Sequence, residues 1–249
     1  MMVNWEAETL VRFADLLLPE AVGADLMRDF CDPAFKDTLL LYGPPGTGKS
    51  VLCAAIAAER TGSQSLTDLQ RDLWHYDCKE RQVREGITGD RLLNALNASR
   101  CFHDAGAIFI FDEIDELTDG QQKELTAFIN FANKATGVTI FATTNVDLRE
   151  KAAAAKKLQP ALVSRFSHQQ LIGPQPAANF LPVVQRKLTE AGVLVSDAEV
   201  LAFIEGHFED ELVDFRQLRP LINQLLRRIS RNRMEATSKH TPAVLRVVS

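Results

Sequence analysis

The chain has 249 residues, 46% of them hydrophobic and 24% charged, with a net charge of −5. That is the composition of a compact globular chain, long enough for one large domain or for one domain with a small companion. No run of about 18 apolar residues marks a membrane span, and the start, "MMVNWEAETL", carries acids rather than a basic signal segment. These features point to a cytoplasmic protein. The four cysteines, Cys31, Cys53, Cys78 and Cys101, show no CxxC or CxxxH spacing, which argues against a zinc site or a disulfide framework and for plain free thiols.

In chain order, the first strong signal is "LLLYGPPGTGKS", Leu39–Ser50. Leu39–Tyr42 reads as a short strand buried on both faces, and Val51–Glu59 as a helix. Between them lies Gly43-x-x-x-x-Gly48-Lys49-Ser50. Glycines there allow successive N–H groups to converge at a helix N-terminus, so a polyphosphate is the expected guest. In the P-loop assignment Lys49 reaches the β- and γ-phosphates and the Ser50 hydroxyl binds Mg²⁺.

"LWHYDC", Leu73–Cys78, is a second strand and Arg91–Arg100 a helix. Ala107–Phe111 is a third strand, ending abruptly in Asp112, Glu113, Asp115 and Glu116. Four acids at the carboxyl end of a central strand are costly unless a cation joins them, although an acidic helix start would share this pattern. With a P-loop nearby, Asp112 is placed to hold the Mg²⁺ and Glu113 to polarise the attacking water. Asp119-Gly-Gln-Gln122 has capping-box spacing for a helix whose apolar face is Leu125, Phe128, Ile129 and Ala132, closed by Gly137. Val138–Asn145 is a fourth strand. If it lies beside the acidic strand, the Asn145 amide can bond both the γ-phosphate and the lytic water; otherwise Asn145 is a turn residue. Strands alternating with helices predict a parallel sheet.

The remainder reads as a small helical region, with a capping box at Ser196-x-x-Glu199 and Val200, Phe203 and Ile204 on one face. From Arg227 to the end there are six Arg or Lys (Arg227, Arg228, Arg231, Arg233, Lys239, Arg246) against Glu235 alone, a local charge of +5. Such a tail is either a contact for phosphate backbones or a solvated helix end.

The order of these motifs resembles that of the AAA+ ATPases. "GPPGTGKS" is similar to their Walker A, "IFIFDE" to Walker B, "ATTN" to the first sensor with Asn145, "ALVSRF" (Ala161–Phe166) to the arginine-finger segment, and "VDFRQL" (Val213–Leu218) to the second-sensor helix. "LLPEAVGADL" (Leu17–Leu26) resembles the family's N-terminal Val-Gly segment. The resemblance implies an α/β P-loop fold: a parallel five-stranded sheet sandwiched by helices over residues 1–173, a helical lid over 174–233 and a basic tail over 234–249. It implies ATP and Mg²⁺ as cofactors, with nucleotide contacts from Val22, Gly23, Gly43, Pro44, Pro45, Gly46, Thr47, Gly48, Lys49, Ser50 and Val51. Arg165 would act in trans on a neighbouring subunit of a homomeric or heteromeric ring or spiral. Arg216, with Arg219 as a rival beside Pro220, would act in cis from the lid. "QPALVSRF" and the lid sequence look most like the clamp-loader and replication-initiator branch, and "HYDCKERQV" occupies the place of the clamp loader's Asn-Ala-Ser-Asp segment. That implies DNA and a replication protein as partners, although Phe166 stands where a cysteine is usual. The alternative is a protein remodeller. Its threading loop would fall in Val83–Leu93, which offers Ile87 and no aromatic residue.

Overall fold

Successive side chains of a strand face opposite sides of the sheet, so a strand apolar at every position needs a hydrophobic layer on both faces. The computed structural model describes residues 12–13, 16, 18–32, 37–100, 107–134, 138–190, 195–208, 212–214, 216–218, 220–224 and 227, and the expected tail over 234–249 lies outside them. The chain divides into two compact units, residues 1–173 and 174–249.

The first unit holds five parallel strands: β1 (Thr38–Tyr42), β2 (Leu73–Asp77), β3 (Ala107–Asp112), β4 (Val138–Thr144) and β5 (His168–Leu171). Their order in the sheet is β2-β3-β4-β1-β5. The helices between them are α1 (Glu20–Leu26) before β1, α2 (Lys49–Thr61) and α3 (Leu66–Asp72) before β2, and α4 (Arg81–Glu85) and α5 (Gly89–Arg100) before β3. α6 (Asp119–Ala132) precedes β4, and α7 (Lys151–Ala154) and α8 (Pro160–Val163) precede β5. Leu39, Leu41, Ile108, Ile110 and Phe141 enter one core with Leu52 and Ile56 of α2 and Phe30. Leu40, Phe109, Phe111, Ile140 and Ala142 enter the other with Leu92 and Leu96 of α5, Leu125 and Phe128 of α6, and Leu162 of α8. The result is a sheet sandwiched by helices.

Because β1 and β2 are separated by β4 and β3, the chain crosses to the far edge and returns. In such a sheet ligands bind outside the carboxyl ends of the strands, where the order reverses. The edge strand β2 is tied to β3 by aromatic pairs: Trp74 lies over Phe109 with centroids 6.4 Å apart, and Tyr76 over Phe111 at 5.0 Å. Its register sets Asp77 opposite Asp112.

Two local expectations need correction. The cap of α6 is Thr118, not Asp119: its Oγ1 accepts the Gln121 N–H while the Gln121 side chain accepts the Thr118 N–H, a capping box one residue upstream. The same helix ends at Ala132 with Asn133 as C-cap, and Gly137 lies outside the described residues. Pro220 falls within helical backbone, residues 216–218 and 220–224, and the Asp214 carboxylate accepts the N–H groups of Arg216 and Gln217 at the start of that turn.

In the second unit, α9 (Leu181–Glu190) and α10 (Asp197–Phe208) pack together. The Ser196–Glu199 capping box is formed, and Val200 and Ile204 are buried. A short antiparallel pair, β6 (Gln175–Pro176) with β7 (Leu212–Val213), was not expected. Among the described residues no helix is long and apolar enough to cross a membrane. Cys31, Cys53 and Cys78 are buried free thiols, and Cys101 lies outside the described residues.

Candidate nucleotide site

At the end of β1 the backbone turns through positive φ at Gly43 (138°), Gly46 (86°) and Gly48 (87°). Side chains rarely adopt these angles, and a Cβ on Gly43 would sit 2.3 Å from the Ile172 carbonyl oxygen. The loop is therefore glycine-dependent, and Gly48 leads directly into α2. Thr47 Oγ1 donates to the Pro44 carbonyl at 3.0 Å, bracing the bend, while Pro44 and Pro45 are exposed. Val51 is half-buried in the first turn of α2.

Lys49 is only 5% exposed. Its ammonium donates to the carbonyls of Gly43 (2.9 Å) and Pro44 (2.8 Å) and to Asn145 Oδ1 (3.1 Å). Asn145 follows β4, and β4 lies between β1 and β3, so the adjacency that its role requires is present. Ser50 Oγ donates to Asp112 Oδ1 at 2.8 Å. The loop of β1, the tip of β4 and the end of β3 are thus joined by side chains at one edge of the sheet.

The four acids after β3 do not converge. Asp112 meets Ser50 and Thr143, whereas Asp115 Oδ1 accepts the Thr144 hydroxyl (2.8 Å) and the Asn145 N–H (3.1 Å), securing the tip of β4. Glu116 pairs with Arg84 at 3.5 Å. Asp115 and Glu116 are therefore structural, because the turn after β3 sends successive side chains to different neighbours.

Glu113 is the only non-glycine residue with positive φ among those described, at 57°. That conformation costs about 1–2 kcal/mol, and such strain collects at functional sites. The fully buried Thr143 supports it: its hydroxyl accepts the Glu113 N–H at 2.9 Å and donates to Asp112 Oδ1. Glu113 Oε2 is buried without a hydrogen-bond partner among the described residues. Oε1 accepts from Lys79 Nζ at 2.5 Å, with side-chain exposures of 13% for Glu113 and 50% for Lys79. The end of β2 positions Lys79, since Cys78 N–H bonds the Asp112 carbonyl and Lys79 N–H bonds Asp77. Sequence reasoning assigned roles to neither Lys79 nor Thr143. Only the polarity of the β4 tip pointed to the threonine.

The remaining expected residues are scattered. Val22 in α1 packs against the core shared with α2, and the Gly23 N–H bonds the Pro19 carbonyl. Arg165, after α8, is exposed, and its carbonyl accepts the Thr38 hydroxyl at 2.9 Å, at the end of β1 opposite the glycine loop. Arg216 lies in the second unit, and Arg219 lies outside the described residues. Ile87, the apolar residue that a threading loop in Val83–Leu93 would have offered, is instead 1% exposed in the hydrophobic core.

The donor set suits a polyphosphate with a hard cation. The glycine-dependent bend leads into a helix N-terminus that favours anions, Lys49 supplies charge, and Ser50 Oγ and Asp112 supply the hard oxygens that Mg²⁺ takes together with phosphate.

Several known proteins are similar to this chain in sequence or fold. The profile of the ATPase family associated with various cellular activities (AAA) matches residues 39–174, more than half of the chain. Replication factor C subunit 3 of Saccharomyces cerevisiae is 29% identical over 174 residues, 69% of this chain and 44% of that protein, so the chain spans less than half of that curated relative's length. The RuvB Holliday junction branch migration motor of Thermotoga maritima superposes with a TM-score of 0.62 at 17% identity, covering 91% of this chain and 66% of that one. Domain III of the Thermotoga maritima replication initiation protein DnaA gives 0.59 at 18% identity, covering 89% of each chain. The sheet order, the glycine cradle and the family match agree: this chain belongs to the AAA family of ATPases.

Proposed function

We propose that the chain is one subunit of a Mg²⁺-dependent AAA+ assembly, a homomeric or heteromeric ring or spiral, that acts on DNA as a loader or motor of the replication type. The observation that carries the catalytic part is the linked set Lys49–Asn145 and Ser50–Asp112–Thr143–Glu113 across β1, β4 and β3. In this reading Gly43, Gly46 and Gly48 turn their loop around the phosphates, Lys49 meets the β- and γ-phosphates, and Ser50 and Asp112 hold Mg²⁺. Bound there, the cation neutralises charge on the phosphate oxygens. Glu113 takes the proton of the attacking water, which Asn145 orients. Val22 and Gly23 border the adenine, the second unit is the lid, and Arg216 reads the nucleotide from it in cis.

Arg165 acts in trans. Its backbone sits at Thr38, and Tyr42 ends the strand four residues later, about 13 Å of strand at 3.3 Å per residue. A single side chain does not cross that distance to its own loop. A guanidinium reaching the γ-phosphate from a neighbour is worth about 10³–10⁵ in rate.

DNA as effector rests on the likeness to replication factor C subunit 3, with a replication protein as the natural partner. ATP turnover measured with primed or single-stranded DNA tests this. Stimulation that disappears in Arg165→Ala is expected, and a rate unaffected by any nucleic acid overturns the DNA assignment.

A further inference from the structure

A trans-acting arginine works only if its backbone is held still, because a displacement of about 1 Å can cost about 10²-fold in rate. Arg165 is exposed in a short connection between α8 and β5, where such restraint is not automatic. The buried hydroxyl of Thr38 supplies it from the first residue of β1. That one oxygen donates to the Arg165 carbonyl (2.9 Å) and accepts the Ser167 N–H (2.9 Å), so it grips the chain on both sides of Phe166. Phe166 itself is buried in the core. Asp37 completes the grip: its carboxylate accepts the Thr38 N–H at 2.9 Å, the Ser167 hydroxyl, and His168 Nε2 at 3.1 Å. The parallel ladder of β1 and β5 begins only at Leu39 and His168. The two Thr38 bonds therefore act on residues 165 and 167, ahead of the ladder, whereas the Asp37–His168 contact falls on its first pair.

We propose that Thr38, with Asp37 and Ser167, is the positioning device of the trans-acting arginine. The inference rests on the trans role of Arg165 given above. The side-chain bonds fix the exit angle of Arg165 from the subunit that donates it and leave that subunit's own nucleotide site, at the other end of β1, untouched.

The test mixes full-length variants with complementary defects. A donor carrying Glu113→Gln keeps its arginine but lacks the base, and an acceptor carrying Arg165→Ala keeps the base but lacks the arginine; their mixture recovers turnover. Adding Thr38→Val to the donor is expected to lower that recovery at least tenfold, while Thr38→Ser, which keeps the hydroxyl, preserves it. Ser167→Ala, an exposed change that leaves β1 intact, gives a smaller loss of the same kind. The affinity of each donor for a fluorescent ATP analogue, and the mass of its nucleotide-bound assembly, stay unchanged. Full recovery with both the Thr38→Val and the Ser167→Ala donors overturns the inference, as does a fall in affinity or assembly that matches the fall in turnover. If the parent pair fails to recover turnover, the trans reading itself is wrong and this inference falls with it.

Discussion

In the proposed mechanism the contact between Glu113 and Lys79 sets two roles against each other. A general base needs a free lone pair, and Glu113 gives one oxygen to an ammonium at 2.5 Å while the other has no hydrogen-bond partner among the described residues. Replacing Glu113 with Gln keeps the shape and the Lys79 contact but removes the basicity. ATP binding is then expected to persist while single-turnover hydrolysis slows about 10²–10⁴-fold, the ordinary contribution of a positioned base. Lys79→Met acts in the opposite direction. The pair is half-exposed on the lysine side, which limits its worth to about 1 kcal/mol, or about fivefold in rate. Basal turnover of Lys79→Met is expected to rise by up to that factor, and a steady-state assay without any effector reads it; a fall would mean that the ammonium assists the reaction instead of restraining the base. Cys31, Cys53 and Cys78 play no part at this scale. Burial pushes the Cys31 thiol up to about 12 and those of Cys53 and Cys78 well above the ordinary range, which keeps all three as inert packing groups.

Among the elements, β1, β3 and β4 were legible because both faces are buried, so they appear as unbroken apolar runs that stop at polar tips. β5 was not legible: His168, Gln169 and Gln170 form an edge whose polarity hides the strand. The same contrast separates the parts of the site. Lys49 and Ser50 could be named from motif spacing and Asp112 and Asn145 from the polar ends of apolar strands, whereas Lys79 and Thr38 matter only through register: one is brought beside Glu113 by the β2–β3 pairing, the other beside Arg165 by the start of β1. α2 is also held at its far end by a residue with no motif. Arg60 is buried and donates through Nη1 to the Phe30 (3.2 Å) and Asp32 (2.6 Å) carbonyls, pinning the turn Met27–Cys31 to the helix. Arg60→Met leaves those carbonyls without their charged donor. A loss of about 2–3 kcal/mol in urea unfolding is expected, with nucleotide affinity little changed because the glycine loop lies at the opposite end of α2.

At the scale of the whole molecule, the proposed trans role of Arg165 makes a specific demand: activity must belong to the assembly and not to the single chain. In one chain the glycine loop, Glu113 and Asn145 lie at the carboxyl ends of the strands and the exposed Arg165 at the other end. In the proposed assembly each subunit supplies a neighbour with an arginine that its own site does not use. Two measurements follow from that polarity. Mass in solution is expected to increase from monomer to oligomer when a slowly hydrolysed ATP analogue is added. Specific activity is expected to rise with protein concentration over the same range, because dilution separates each arginine from the site that it serves. Arg165→Ala abolishes the second dependence, since its turnover stays low, by about 10³-fold or more, whether or not neighbours are present. A wild-type rate per subunit that is constant from the monomeric to the oligomeric range would place the whole catalytic set within one chain and remove the arginine from it.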